Sequence, residues 1–250
     1  MPADLYRCHE YPHLIRRWKK AARAAGLEWR SFTKADGYEL YYAATPDRGP
    51  GGIYLSSGIH GDEPAGTEAL LRWVEGKPAI LRSRPALLFP CLNPWGLVHN
   101  SRLDASCRDL NRTFNRDDHP LIRAWKQLME DRQFDLALTL HEDYDAHGLY
   151  LYEIGHCPPH WGEDLIEQAR PHIAIEHRYT IDGRRISKPG LFRRRVDLKR
   201  FPDLPEAVYL HLHHARRTFT FETPSEFALD HRVRVQQMLI EACMERVTNE

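Results

Sequence analysis

Within SSGIHGDEPAGTEALL, residues 56–71, a histidine and a glutamate, His60 and Glu63, stand three positions apart. An imidazole nitrogen and a carboxylate oxygen are ordinary zinc donors, and a catalytic zinc keeps three protein donors with a fourth position open. Gly58 and Gly61 allow a sharp exit from the apolar run before the pair, and Pro64 suits the first turn of a helix after it. The two side chains can then converge on one point, although a His-x-x-Glu pair alone fits a polar turn better, histidine and glutamate being common turn residues. His141, in LALTLHED, is the natural third donor because it directly follows a buried-looking strand. Its neighbours Glu142 and Asp143 can orient a ligand imidazole, bind a second ion, or form a solvated turn.

Two histidines and one carboxylate suit metal-assisted hydrolysis, which also needs a group to move a proton. Glu222, in TFTFETPSEF, lies just past an alternating aromatic strand that can exclude water, so it is the candidate general base. In NPWGLVHNSRLDASCRDLNRTF, Arg102 can stabilise negative charge growing on a carbonyl oxygen. Asn111 and Arg112 can hold a substrate carboxylate through directional hydrogen bonds.

Taken in order, HGDE at His60, NPWG at Asn93, SRLDASCRDLNRTF from Ser101, LHED at Leu140 and FETPS at Phe221 resemble the zinc metallocarboxypeptidases. The likeness is to the carboxypeptidase A-like fold in its short bacterial-type form, and it runs from about Ile53 to Ser225. It implies one zinc ion on His60, Glu63 and His141, Glu222 as base, Arg102 polarising the carbonyl, and Asn111 with Arg112 clamping a terminal carboxylate. It implies as substrate a peptide or acyl-amino acid with a free carboxylate, cut at a peptide-like amide to release a C-terminal residue.

Two departures touch specificity. Trp95 stands where relatives often carry an acidic residue, and no residue before Glu222 clearly matches the family's substrate-capping tyrosine, with Tyr209 the nearest candidate. A related reading is an N-acyl amino acid deacylase of the succinylglutamate desuccinylase and aspartoacylase type, which shares the His-x-x-Glu and Asp-x-Asn-Arg stretches. LHED and FETPS favour the carboxypeptidase side. A non-catalytic, zinc-dependent carboxylate-binding protein is the third reading, and Glu222 and Arg102, which serve turnover more than binding, count against it.

Strands must end where these residues begin. Apolar runs at Ile53–Ile59, Ala86–Leu92, Leu136–Leu140 and Thr218–Phe221 read as buried strands, with a less regular one at Gly148–Ile154. Helical patterns cover Tyr11–Ala25 with Gly26 as its cap, Pro64–Val74, Pro120–Asp131, Trp161–Arg170 and His231–Val247. The expectation is an α/β fold in one domain over residues 1–250, with a mixed, mostly parallel sheet flanked by helices and residues 1–30 as a helical N-terminal extension. In such sheets ligands gather at the carboxyl ends of the strands, which is where His60, Asn93, His141 and Glu222 fall. Ile181–Ala207 reads as a long loop whose basic run, Arg193 to Arg195, is solvated. His211 and His213 share a face if YLHLHH is a strand, and a second metal patch there is the weaker reading.

The 250 residues carry 35 Lys plus Arg against 35 Asp plus Glu, so the charge surplus expected of a nucleic-acid binder is missing. No stretch is long and apolar enough to span a bilayer or act as a signal peptide, so the expected location is the cytoplasm, without a membrane partner. The five cysteines are odd in number, scattered and without a CxxC pair, which suggests free thiols. Oligomeric state is not readable.

Overall fold

The computed structural model describes residues 6–46, 49, 51–155, 158–181, 183–186, 188–194, 196 and 203–249. Its centre is β3 (Ile53–Ser57), a strand buried at every position, followed by helix α2 (Pro64–Glu75). β4 (Ala86–Phe89) and β5 (Phe134–Asp143) pair with it in parallel on either side, and β10 (Ala215–Pro224) continues the parallel set beyond β5. Strands covered on both faces carry no polar alternation, and for that reason these segments read as continuous apolar runs.

A hairpin, β1 (Glu28–Ala35) and β2 (Tyr38–Ala44), extends the β4 edge antiparallel. At the other edge β6 (Tyr150–Ile154) runs antiparallel to β10, and β9 (Leu191–Arg194) closes the eight-stranded order β1-β2-β4-β3-β5-β10-β6-β9. β7 (Thr180–Ile181) and β8 (Arg184–Arg185) form a separate two-stranded ribbon. The fold is thus the expected α/β arrangement with a mixed sheet. The 181–207 segment, expected to be loop, instead supplies an edge strand, because Leu191 and Phe192 bury against β6.

Helices cover both faces. Leu136, Leu138 and Leu140 of β5 and Phe219 and Phe221 of β10 pack with α1 (Tyr11–Ala25), α2, α5 (Gly162–Ala169) and α7 (Leu229–Asn249). On the opposite face Tyr54, Phe89 and Ala137 pack with α4 (Pro120–Met129) and α6 (Glu206–His213). Alternation along β5 therefore turns His141 to the α4/α6 side and Glu142 to the α2/α7 side. Helix α1 ends as expected, with Gly26 left-handed at φ 75° and its N–H donated to Ala22 and Arg23. It is fixed by fully buried Trp18, and by Arg17, whose guanidinium lies 2.8 Å from Glu68 and 2.9 Å from Glu75 of α2.

Two sequence readings fail here. His211 and His213 lie on helix α6, not on a strand, because Glu206–Leu210 buries a helical face on β10. Tyr209 points away from the strand ends, packing on Trp125, Phe114 and His213.

Candidate active site

The chain leaves β3 through Gly58 at φ +63°, where an added Cβ would press on Thr67 and Cys91. Gly61 then passes so close to the short helix α3 (Pro94–His99) that a Cβ would lie 1.8 Å from the Gly96 carbonyl carbon. Its N–H donates to the Ser101 carbonyl at 2.9 Å, and Pro64 starts α2 one residue after Glu63. Asn93 caps α3 by accepting the Gly96 N–H at 2.9 Å and holds the following loop through Leu103 at 3.1 Å. NPWG is thus the buttress of the turn that carries His60 and Glu63.

Their donors meet that of His141. Glu63 places one oxygen 2.6 Å from His60 Nδ1 and the other 2.9 Å from His141 Nδ1, and the three donor atoms lie within 4.8 Å of one another. All three residues are buried, His60 and His141 at 3% exposure and Glu63 at 5%. Burial raises the Glu63 pKa, but the two imidazoles outweigh it and hold the group at about 2. The His60 pKa is lowered by burial and raised more strongly by Glu63 and Asp109.

Asp109 decides what this triad can hold. Its Oδ1 lies 3.2 Å from His60 Nε2 and accepts that ring N–H, so in the neutral imidazole the lone pair is on Nδ1. Nδ1 lies 2.6 Å from a Glu63 oxygen, a contact bridged by a proton on the doubly protonated ring or, on the neutral ring, by a metal cation. Two imidazoles and one carboxylate, with the outer ring nitrogen of His60 held by a second carboxylate, are a donor set that fits zinc. Asp109 was not among the residues singled out from the sequence, although its Asp-x-Asn-Arg stretch was the available signal.

The other expected residues surround the triad in a cavity of about 950 Å³. Arg102 donates through Nε and Nη2 to Asp109 at 3.2 and 2.9 Å, which turns Nη1 to within 3.2 Å of His60 Nδ1 and 3.5 Å of Glu63. Glu222 sits beside His141 in the β10–β5 register and lines the cavity. Burial, reinforced by Glu63 and Asp143, raises its pKa to about 8 against the lowering pull of His141 and Arg102. Asn111 is fixed by accepting the Glu206 N–H at 2.8 Å, and exposed Arg112 stands at the rim with Nη1 on the Asn111 carbonyl at 2.8 Å.

Glu142 has both oxygens engaged by protein donors. It accepts the Ala65 N–H at 2.7 Å and pairs with Arg232, tying β5 to α2 and α7. Gln236 adds a bond from Nε2 to the His141 carbonyl at 2.8 Å. Asp143 accepts the Tyr150 hydroxyl at 2.8 Å. Asp36, Asp104 and His119 also gather. There, however, His119 Nδ1 accepts the Leu121 N–H at 3.2 Å, so Nε2 carries the proton and donates to Asp104 at 3.1 Å, leaving no lone pair for a metal. Arg193 bonds Glu153 at 2.8 Å and does not line the cavity.

With this geometry in place, the family is decided by a match of residues 51–178 to the succinylglutamate desuccinylase/aspartoacylase catalytic domain, just over half of the chain. The chain belongs to that family. No protein of curated function matches it. Among solved structures, it superposes at TM-score 0.81 on a protein from Shewanella amazonensis provisionally named a metallopeptidase, 21% identical over 94% of this chain and 92% of that one. A metallo-carboxypeptidase from Pseudomonas aeruginosa, in complex with (2-guanidinoethylmercapto)succinic acid, gives TM-score 0.70 at 17% identity, over 95% and 69% of the two chains. The murein-tripeptide amidase MpaA from Escherichia coli gives 0.57 at 16%, over 86% and 91%. At these identities the likeness is one of fold, and the fold is carboxypeptidase-like. Among the described residues no helix is long and apolar enough to cross a membrane.

Proposed function

We propose that this chain is a zinc-dependent hydrolase of a peptide-like amide adjoining a free carboxylate, releasing a C-terminal residue, with His60, Glu63 and His141 holding one ion. The observation that carries the reading is the buried two-histidine, one-carboxylate convergence with Glu222 beside it in register. Zinc bound there supplies Lewis acidity to a carbonyl oxygen and to a water molecule.

The protein's own groups do the rest. Asn111 and Arg112 take the substrate carboxylate at the rim and so place the scissile amide over the triad. Glu222 accepts a proton from the water as its oxygen bonds to the carbonyl carbon, and Arg102 Nη1 stabilises the resulting oxyanion. Glu222 then returns the proton to the amide nitrogen as the carbon–nitrogen bond breaks, leaving a carboxylic acid and an amine, and passage of the acid's proton to the amine gives carboxylate and ammonium. Glu63 and Asp143 favour the protonated Glu222 carboxyl while His141 and Arg102 favour its ionised form, opposing pulls that suit a group that must accept and then donate.

The family match favours a second reading, cleavage of an N-acyl amino acid, which uses the same residues and differs in the acyl group. Metal analysis with mass-spectrometric profiling of a mixed peptide and acyl-amino-acid library tests both. Release of C-terminal residues supports the first, and exclusive cleavage of N-acyl amino acids selects the second. Glu222→Gln should keep its zinc and lose about 10²–10⁴-fold in kcat. A zinc-loaded Glu222→Gln protein with full activity rejects the assigned base.

A further inference from the structure

The cavity does not end at the triad. It continues past β5 to the α2/α7 side of the sheet, where His9, Asp62, Glu142 and Arg232 line it. The Glu142–Arg232 pair is spent on itself: Glu142 also takes the Ala65 N–H, and Arg232 Nε donates to the Phe227 carbonyl at 2.8 Å. On this wall Asp62 and His9 present acceptors to the space. Asp62 has no salt bridge among the described residues and stands exposed between Gly61 and Glu63. His9 Nδ1 lies 2.7 Å from the Leu97 carbonyl, so Nδ1 carries the proton and Nε2 keeps its lone pair.

Both acceptors are braced on the same short helix. Gly61 is wedged against Gly96 and bonded to Ser101, while His9 is bonded to Leu97, so the metal-site turn and the N-terminal segment share α3 as a support. His9 lies outside the family-matched residues, which makes this wall a feature of this chain's own N-terminal segment.

The direction of the substrate follows from the two faces of the sheet. Asn111, bonded to the first residue of α6, puts the carboxylate and the leaving amine on the α4/α6 side. An amide held at the triad then extends its acyl half toward α2/α7. Resting on the hydrolase reading above, we infer that the acyl half carries a protonated amine, held by Asp62 and His9, so that the substrates are aminoacyl-amino acids such as dipeptides. An ammonium offers three N–H donors to a carboxylate and an imidazole acceptor. A succinyl-type acyl group would instead bring its carboxylate against Asp62, with Arg232 already neutralised by Glu142.

The test uses three ligands with one common leaving residue: alanyl-leucine, N-acetyl-leucine and N-succinyl-leucine. Each is titrated by calorimetry into zinc-loaded Glu222→Gln protein, and kcat/KM for each is measured on the unsubstituted protein. Alanyl-leucine should bind at least tenfold tighter than either acyl-leucine, and adding Asp62→Asn should bring the alanyl-to-acetyl affinity ratio close to one. His9→Ala should lower the same ratio severalfold, with zinc affinity measured alongside to register any disturbance of the metal-site turn. Tighter binding of N-succinyl-leucine overturns the inference, as does an alanyl-to-acetyl ratio that neither substitution changes. If none of the three is hydrolysed, the hydrolase reading fails while the affinities still decide the subsite. If Arg112→Ala weakens none of them, the carboxylate clamp fails separately.

Discussion

Glu63 and Glu222 face one cavity, and their surroundings drive them apart. Two imidazoles hold Glu63 ionised at about 2, whereas burial beside Glu63 and Asp143 lifts Glu222 to about 8. In the metal-free protein a carboxyl raised in this way stabilises the fold while it is protonated. Its contribution is full below its unfolded pKa, near 4.5, and is lost as pH climbs to about 8. Glu63 acts in the opposite sense, its contribution fading as pH falls from near 4.5 to about 2. The Tm of metal-free protein should therefore fall between pH 5 and 8, and Glu222→Gln should flatten that fall, raising Tm at pH 8 by a few degrees relative to the parent. Parallel melting curves of the two proteins across this range check it, and identical slopes would contradict the assignment. Asp109 acts on the other side of the triad: burial pushes its pKa up, yet His60 and Arg102 hold it well below the usual carboxylate range. Because it fixes the His60 tautomer and also orients Arg102, Asp109→Asn should weaken zinc binding about 10–100-fold, read by competition with a chromophoric chelator.

At the scale of elements, the site depends on a β3–α2 turn wedged against α3. Gly61 cannot gain a side chain without displacing the Gly96 and Leu97 backbone, at 1.8 and 2.1 Å from the new Cβ. Gly61→Ala should thus destabilise the fold by about 1–3 kcal/mol, and it should lower zinc affinity because His60 moves with the turn. Thermal unfolding and metal titration separate the two effects. This part of the molecule was readable in the sequence because everything it needs is local: a buried strand, two glycines, and a proline where a helix starts. The β1–β2 hairpin carried an equally local mark that went unread, Asp36-Gly37 between Ala35 and Tyr38. Both turn residues have positive φ, 51° and 85°, as a two-residue hairpin requires. YLHLHH was left open between strand and other readings for the opposite reason. Its alternation is genuine, yet burial of Val208 and Leu210 beside β10 makes it helix, and only the tertiary neighbour decides that.

The whole molecule adds what no segment encodes, the lateral order of the strands. Each central strand was visible as an apolar run, but only the folded sheet puts β10 next to β5 and so sets Glu222 beside His141 across 81 residues of chain. The same pairing makes the metal site a junction of the molecule. His60 and Glu63 close the β3–α2 turn, His141 lies two residues before the end of β5, and Glu142 and Gln236 tie that end to α2 and α7. An ion binding only the folded arrangement stabilises it by mass action, about 4 kcal/mol when free zinc exceeds its dissociation constant a thousandfold. For a chain of this size that corresponds to a rise in Tm on the order of 10 °C. Chelation should remove the rise and added zinc restore it, whereas His60→Ala should melt at one temperature with or without the ion. A zinc-dependent shift that survives His60→Ala would place the stabilising ion somewhere other than this junction.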